Sequence, residues 1–354
     1  VTSVDGLLAR ARQLQDGEVD ARALPGPANP ADRLRRRMVD GAAFVLDVPA
    51  QPPPLWGDGD EVLWAQGEPF LLCGPPGVGK TTLSGQVLRA RLGLDKAVLG
   101  WSVTPGERRT LYLAMDRPPQ IARSLRRVFR EEDRDLLAER MVVWRGPPPE
   151  DLARNPMVLT EMCQAAGADT VFLDSLKDAA VGLTDDETGG GLNRAVQQAL
   201  VDGCEVLGTH HQVKRGANGG PPDQLADVYG SAWITAGAGS VVLLWGNAGD
   251  PVVGFRHLKQ PVAEIGPLQI RHDHSAGRSE IFHEIDLYQL IALDSRGLSA
   301  QEAARNLYGT DSPSAAQVEK ARRRLEKLVA GGNAYGLQSP GHPTRYYRAA
   351  PDVS

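Results

Sequence analysis

The chain has 354 residues, 42% of them apolar and 23% charged, with a formal net charge of −5. That is the balance of a soluble protein long enough for two domains, and it excludes nucleic-acid binding through overall charge, though not through local basic patches. Three separated cysteines (Cys73, Cys163, Cys204) offer no disulfide framework or zinc site, and the longest apolar run, SVVLLW, is too short to span a bilayer, so a cytoplasmic protein without a membrane partner is expected.

Residues 1–50 read as an arm. Leu7, Leu8 and Leu14 permit a short helix, LPGPANP breaks it, and a basic helix around Arg33 to Arg37 follows. A Pro- and Gly-rich linker, PAQPPPLWGDGD, leads into a core over 51–284. There the apolar runs PFLLCG, TLYLAM, MVVW, TVFLD, EVLGTHH and SVVLLWG alternate with helical patterns. Runs without polar alternation suit strands covered on both faces, which predicts an α/β fold with a mainly parallel sheet. Over 285–354 three helix-like segments precede a polar, aromatic tail able to form a two-stranded hairpin, the outline of a winged helix.

The stretch GPPGVGKTT (Gly74, Pro75, Pro76, Gly77, Val78, Gly79, Lys80, Thr81, Thr82) follows the strand PFLLC and opens a helix. It fits G-x-x-x-x-G-K-[ST] in the strand–loop–helix context that the motif requires. Backbone N–H groups and the helix N-terminus would receive phosphate oxygens, Lys80 would meet the β- and γ-phosphates, and Thr81 would hold Mg²⁺. ATP with Mg²⁺ is the expected ligand. Asp174 ends the strand of ADTVFLDSLKD and is the Walker-B candidate, the second metal-side group. Ser175 follows it, where many ring ATPases of the AAA+ type have a glutamate that orients the attacking water. The carboxylate must then come from another strand. Asp116, at the end of TLYLAMD, is the candidate, because ligands of open α/β sheets gather at the C-terminal strand edge. The competing reading makes it the N-cap of the helix RPPQIARSL. Glu107 is a weaker rival, in an expected hairpin turn.

The ordered set GPPGVGKTT, LYLAMDRPPQIARSLRR, TVFLDSLKD and VLGTHHQVKRG resembles the RecA-like ATPase core of RepA-type hexameric helicases of plasmids and phages, relatives of DnaB and RecA. The resemblance spans about residues 60–270. It implies a catalytic base at Asp116, where that family usually carries glutamate, and a phosphate sensor at His211 with His210 and Gln212 beside it. It also implies a central channel in which a basic loop at Lys214 and Arg215 grips single-stranded DNA, and a cation given to the neighbouring subunit's site, Lys259 first and Arg256 second. The acidic, glycine-rich stretch AAVGLTDDETGGGLNR reads as a loop that would repel phosphates through Asp185, Asp186 and Glu187. RHDHSAG, with His272, Asp273 and His274, reads as a solvated turn rather than a metal site.

In the tail, Ala315, Val318, Ala321, Leu325 and Leu328 line one helix face, and Lys320, Arg322, Arg323, Arg324 and Lys327 occupy much of the rest. With Arg345, Tyr346, Tyr347 and Arg348 on the wing strand, this predicts contact with duplex DNA. The whole reads as an ATP-driven, ring-forming DNA motor, most simply a homo-hexameric helicase. A RecA- or RadA-like recombination ATPase and an ATP-switched DNA-binding regulator are the alternatives.

Overall fold

The computed structural model describes residues 37–213, 222–273, 275–282, 286–293, 296–308 and 310–349. Contacts divide the chain after Gln51. Before that point the described part is one short helix, α1 (Gly41–Leu46), started by Asp40, whose Oδ1 accepts from the Ala43 N–H at 2.9 Å. Residues 33–36 of the expected basic helix lie outside the described residues.

After Gln51 the hairpin β1 (Pro54–Asp58) and β2 (Glu61–Ala65) leads to β3 (Phe70–Cys73) and α2 (Lys80–Arg91). The small hairpin β4 (Ala97–Val98) and β5 (Trp101–Ser102) comes next, then β6 (Arg109–Ala114), α3 (Pro118–Val128), α4 (Arg134–Arg140) and β7 (Met141–Arg145). Then follow α5 (Met157–Ala166), β8 (Ala168–Asp174), α6 (Asp186–Val201), β9 (Glu205–His210), α7 (Ala232–Ala236) and β10 (Ser240–Trp245). The strands β11 (Val252–Lys259), β12 (Leu268–Asp273) and β13 (Arg278–Ile281) complete a nine-stranded sheet of order β13-β12-β11-β10-β3-β9-β8-β6-β7. From β10 to β7 every pairing is parallel, and β11 to β13 are antiparallel. The six apolar runs read as strands are β3 and β6 to β10.

The parallel strands lack polar alternation because both faces are covered. Leu72, Tyr112, Phe172, Leu207 and Val242 point into one apolar layer with α2, α3 and the β1–β2 hairpin. Leu71, Leu113, Leu173, Val206 and Leu243 point into the other, with α5 and α6. The result is a three-layer α/β core.

One expectation is corrected here. Asp186 and Glu187 form the first turn of α6, where acidic groups favour the helix dipole, instead of a loop. Two of its three glycines lie at close approaches, Gly189 to Ser231 and Gly191 to the segment before α5. A Cβ on Gly191 would stand 2.3 Å from the Ala153 carbonyl oxygen.

The C-terminal segment has its own apolar cluster. It comprises α8 (Leu287–Leu293), β14 (Leu298–Ser299), α9 (Ala300–Tyr308), α10 (Ala315–Ala330), β15 (Ala334–Leu337) and β16 (Arg345–Arg348), with β16 in the middle of a three-stranded antiparallel sheet. Ser314 and Gln317 form a capping box at the start of α10. Among the described residues no helix is long and apolar enough to cross a membrane, and the three cysteines are free and buried.

Trp64 ties the two halves of one layer together. Its ring is fully buried against Phe70 and Phe172, the Arg91 guanidinium lies 5.7 Å above it, and its indole N–H donates to the Glu68 carbonyl. Trp64→Ala is expected to lower stability by about 3–5 kcal/mol, read from the urea unfolding midpoint by circular dichroism.

Candidate active site

The phosphate loop lies between β3 and α2. Gly79 is the N-cap of α2, in the left-handed region at φ +93°, and a Cβ there would fall 2.3 Å from Nε2 of His272. Only glycine fits. The helix has no side-chain cap and no acidic residue in its first turn, so its leading N–H groups are left for an anion. At its other end the loop is anchored by the Gly74 N–H, which donates to the His210 carbonyl at 3.2 Å.

Lys80 is buried, and its ammonium donates to the carbonyls of Gly74 and Pro75 at 2.7 and 2.8 Å. Burial lowers its pKa to about 8, against the favourable fields of Cys73 and Asp174. Val78 is buried, and Thr81 and Thr82 are half-buried on the first turn.

Register brings the other groups to the same edge. Cys73 pairs with His210, Leu173 with Gly208, and Ala114 with Asp174, so the residues that follow these strands emerge together at the C-terminal edge. Asp174 is buried, with one carboxylate oxygen accepting from the Tyr112 hydroxyl and the other from the Thr209 hydroxyl, both at 2.7 Å. Sequence reasoning missed both donors. Tyr112 could have been noticed as a phenol inside an apolar strand, because a buried Tyr hydroxyl needs a partner. Thr209 had no such signal.

Asp116 stands just beyond β6, which flanks β8 and is two strands removed from β3. The N-cap of α3 is Arg117, at φ +49° and without a side-chain cap bond, with Pro118 and Pro119 opening the helix. The capping reading of Asp116 is therefore corrected: its carboxylate faces Arg117, whose guanidinium donates to both oxygens at 3.2 Å. Glu107 lies before β6, at the opposite edge, where its N–H donates to Asp169.

The histidine pair divides into two environments. His210 is fully buried and its Nε2–H donates to the Tyr229 carbonyl at 2.6 Å; burial pushes its pKa down to about 4. His211 is half-buried. Burial, then the charges of Lys80 and Lys177, lower its pKa, while Asp178 and Asp116 oppose them. His211 thus feels both Lys80 and Asp116. Gln212 bridges to Val228.

Lys214 and Arg215 lie outside the described residues. Lys259 pairs at the level of Val241 and Leu71, toward the edge opposite the loop, and its ammonium donates to the carbonyls of Thr235 and Ala236 at the end of α7. Arg256 stacks on Trp245 and approaches Asp223 at 3.8 Å. His272, read as part of a solvated turn, is a buried residue of β12 packed on the phosphate loop, with Nδ1 2.8 Å from the Ser279 hydroxyl. Only a long-range contact puts it there. His274 is outside the described residues, and among those described no cluster of His, Cys, Asp or Glu could hold a metal ion.

On the C-terminal segment most expected DNA contacts are engaged within the chain. Arg322 bonds Glu319 and Glu326, Arg323 bonds Glu319, Arg345 bonds Glu302, and Arg348 donates to the Tyr288 hydroxyl. Lys320 is exposed. Tyr346 is buried in the segment's own apolar cluster, so it is a core residue and not a surface marker.

Residues 30–217, more than half of the chain, match the family described as an AAA domain. The chain belongs to this family of P-loop ATPases. No curated protein matches it. The donor set of this AAA domain fits Mg²⁺ with a nucleoside triphosphate: a threonine hydroxyl on the first helical turn, a carboxylate fixed by two hydroxyls, and unspent N–H groups at the helix start.

Two outcomes are expected. Phosphate pairing favours charged Lys80, so the complex keeps that proton at higher pH than the free protein; MgATP affinity is full below about pH 8 and falls up to about tenfold per unit above it, read by calorimetry. Tyr112→Phe removes one donor from Asp174 and raises the Mg²⁺ concentration for half-maximal turnover about three- to tenfold in a magnesium titration.

Proposed function

We propose that this AAA-domain ATPase is a DNA-translocating motor, a ring-forming replicative helicase of the RepA kind carried by a mobile element. The observation that carries the reading is the convergence of Lys80, Asp174, His211 and Asp116 on one sheet edge, with Asp116 released from helix capping. In this reading Lys80 meets the β- and γ-phosphates, Asp116 orients the attacking water, and His211 relays the state of the γ-phosphate to the loop at Lys214 and Arg215. Bound Mg²⁺, held by Thr81 and Asp174, supplies neutralisation of phosphate charge.

Lys259 is about 10 Å along the sheet from the first loop glycine, so a phosphate contact from it belongs to a neighbouring copy. Such a contact requires it to give up the two α7 carbonyls. The C-terminal order of three helices, a short strand and a hairpin supports a winged helix, with Lys320, Arg322, Arg323, Arg324, Arg345 and Arg348 as its DNA-facing cations. Single-stranded DNA in the channel, duplex DNA at the winged helix and five further copies of this chain are the proposed partners.

One observation favours a second reading, an ATP-switched DNA-binding regulator with slow turnover. The Asp116 carboxylate is paired with Arg117, and it is one methylene shorter than the family's glutamate. A recombination filament is separated from a ring by electron microscopy.

Steady-state ATP hydrolysis with and without single-stranded DNA, at several salt concentrations, tests the motor. Stimulation of about tenfold or more that fades with salt is expected, and Asp116→Asn should lower the stimulated rate about 100-fold or more. Slow turnover indifferent to DNA, or full turnover by Asp116→Asn, sinks the motor reading; the former leaves the regulator in its place.

A further inference from the structure

A cavity of about 170 Å³ opens at the sheet edge opposite the phosphate loop, among the starts of three strands. Arg108 precedes β6, Ala168 opens β8, Cys204 precedes β9, and the ends of α5 and α6 close the remaining sides. Two thiols line it: Cys163, in the last turns of α5, and Cys204, in the turn between α6 and β9, each 3% exposed. Far apart in the chain, they act on each other in the fold. The Cys204 S–H bonds to the Cys163 sulfur, and that contact, then burial, pushes the Cys204 thiol up. Cys204 therefore holds its proton, and a hydrogen bond of this kind favours charge on the sulfur that receives it.

A second observation points into the same space. Thr160 lies one turn before Cys163 on the same face of α5, and it too lines the cavity. It is 1% exposed, and its Oγ1 has no hydrogen-bond partner. A buried hydroxyl left unspent beside a sulfur is a donor in reserve for a thiolate. At the mouth Arg108 and Asp202 are exposed, and the Arg108 guanidinium reaches the Gly203 carbonyl at 3.4 Å, next to Cys204. The third cysteine stands apart. Cys73 pairs with His210 at the far end of β9, about 20 Å from Cys204 along the strand.

We propose that Cys163 and Cys204 form a dithiol–disulfide site, oxidised by small disulfides and restored by thiols, that staples α5 to the start of β9. The Cys163 sulfur attacks one sulfur of the small disulfide, breaking its S–S bond and releasing one thiolate. Cys204 then attacks the mixed disulfide at Cys163, forming the protein S–S bond and releasing the second. Two protein thiols are oxidised, one external disulfide is reduced to two thiols, and the two protein protons pass to the released thiolates. The bond closes the loop 163–204, which holds β8, Asp174 and α6. Closing that loop constrains the unfolded chain, so the oxidised protein is the harder one to unfold. The site is independent of the nucleotide and DNA readings.

The test exposes the full folded chain to hydroxyethyl disulfide, then applies intact mass, peptide mapping and urea unfolding. Wild type is expected to lose two hydrogens through one Cys163–Cys204 cross-link, with Cys73 still a free thiol. Its urea midpoint should rise by about 0.5–1 M and return on adding dithiothreitol. Cys204→Ala should stop at a mixed disulfide on Cys163, and Cys163→Ala should form no cross-link. Three free thiols in the folded wild type, under conditions that oxidise the urea-unfolded chain, overturn the site. A cross-link through Cys73, or a Cys163–Cys204 bond that lowers the midpoint, overturns it as well.

Discussion

The site depends on keeping backbone N–H groups unspent next to a tightly packed core. A loop that must offer its amides to phosphate cannot stabilise itself with them, so it is held from outside. β10 and β12 do this. A Cβ on Gly74 would meet the Leu244 carbonyl at 2.5 Å, and the His272 ring closes on Gly79. At the entrance the Gly74 amide is committed to β9, given to the His210 carbonyl. The loop's shape is therefore coupled to β9 by a hydrogen bond and to β12 by contact. Small shifts of either strand act on the phosphate groove.

The same edge gathers charge that burial makes expensive. Lys80 and Asp174 are both buried, and each lowers the cost of the other, but neither is left to that field alone. Two carbonyls hold the ammonium and two hydroxyls hold the carboxylate. Tyr112 and Thr209 come from the strands on either side of β8, so Asp174 is fixed by the sheet rather than by a flexible neighbour. His210 is kept neutral by burial, which removes one positive charge from an edge that already carries Lys80 and Lys177. The half-buried His211 is left to respond to that edge.

Much of this was legible in the sequence. The six apolar strands and the phosphate loop follow from local pattern, because a strand buried on both faces and a glycine-rich turn before a helix each leave a short-range mark. Asp174 and Asp116 were placed by the rule that strand ends gather at one edge. What the sequence hid is long-range. Nothing near Gly79 points to His272, some 190 residues later, and nothing in RHDHSAG distinguishes a strand end from a turn. The glycines of α6 misled for a related reason: Gly191 lies against Ala153 and Gly189 against Ser231, approaches that only the packed structure reveals. The competing reading of Asp116 as a cap fails although Pro118 does open α3, because the left-handed Arg117 takes the N-cap position one residue later.

Charge placement limits how a single copy could hold nucleic acid. The net charge is −5, and on the C-terminal segment Arg322, Arg323 and Arg345 are paired with glutamates while Arg348 lies over Tyr288. Exposed pairs of this kind exchange readily for phosphate, but each exchange returns a glutamate to solvent beside the DNA and loses part of the gain. In the DNA reading few phosphates are then neutralised per copy, so binding by one chain would be weak and its salt dependence shallow. Repetition offsets this. In a closed assembly, each further contact becomes intramolecular, and modest basic loops act together at high effective concentration. In the proposed DNA reading, a chain with this charge distribution would gain grip on nucleic acid from assembly far more than from any one of its surfaces, which ties that reading to the proposed oligomer.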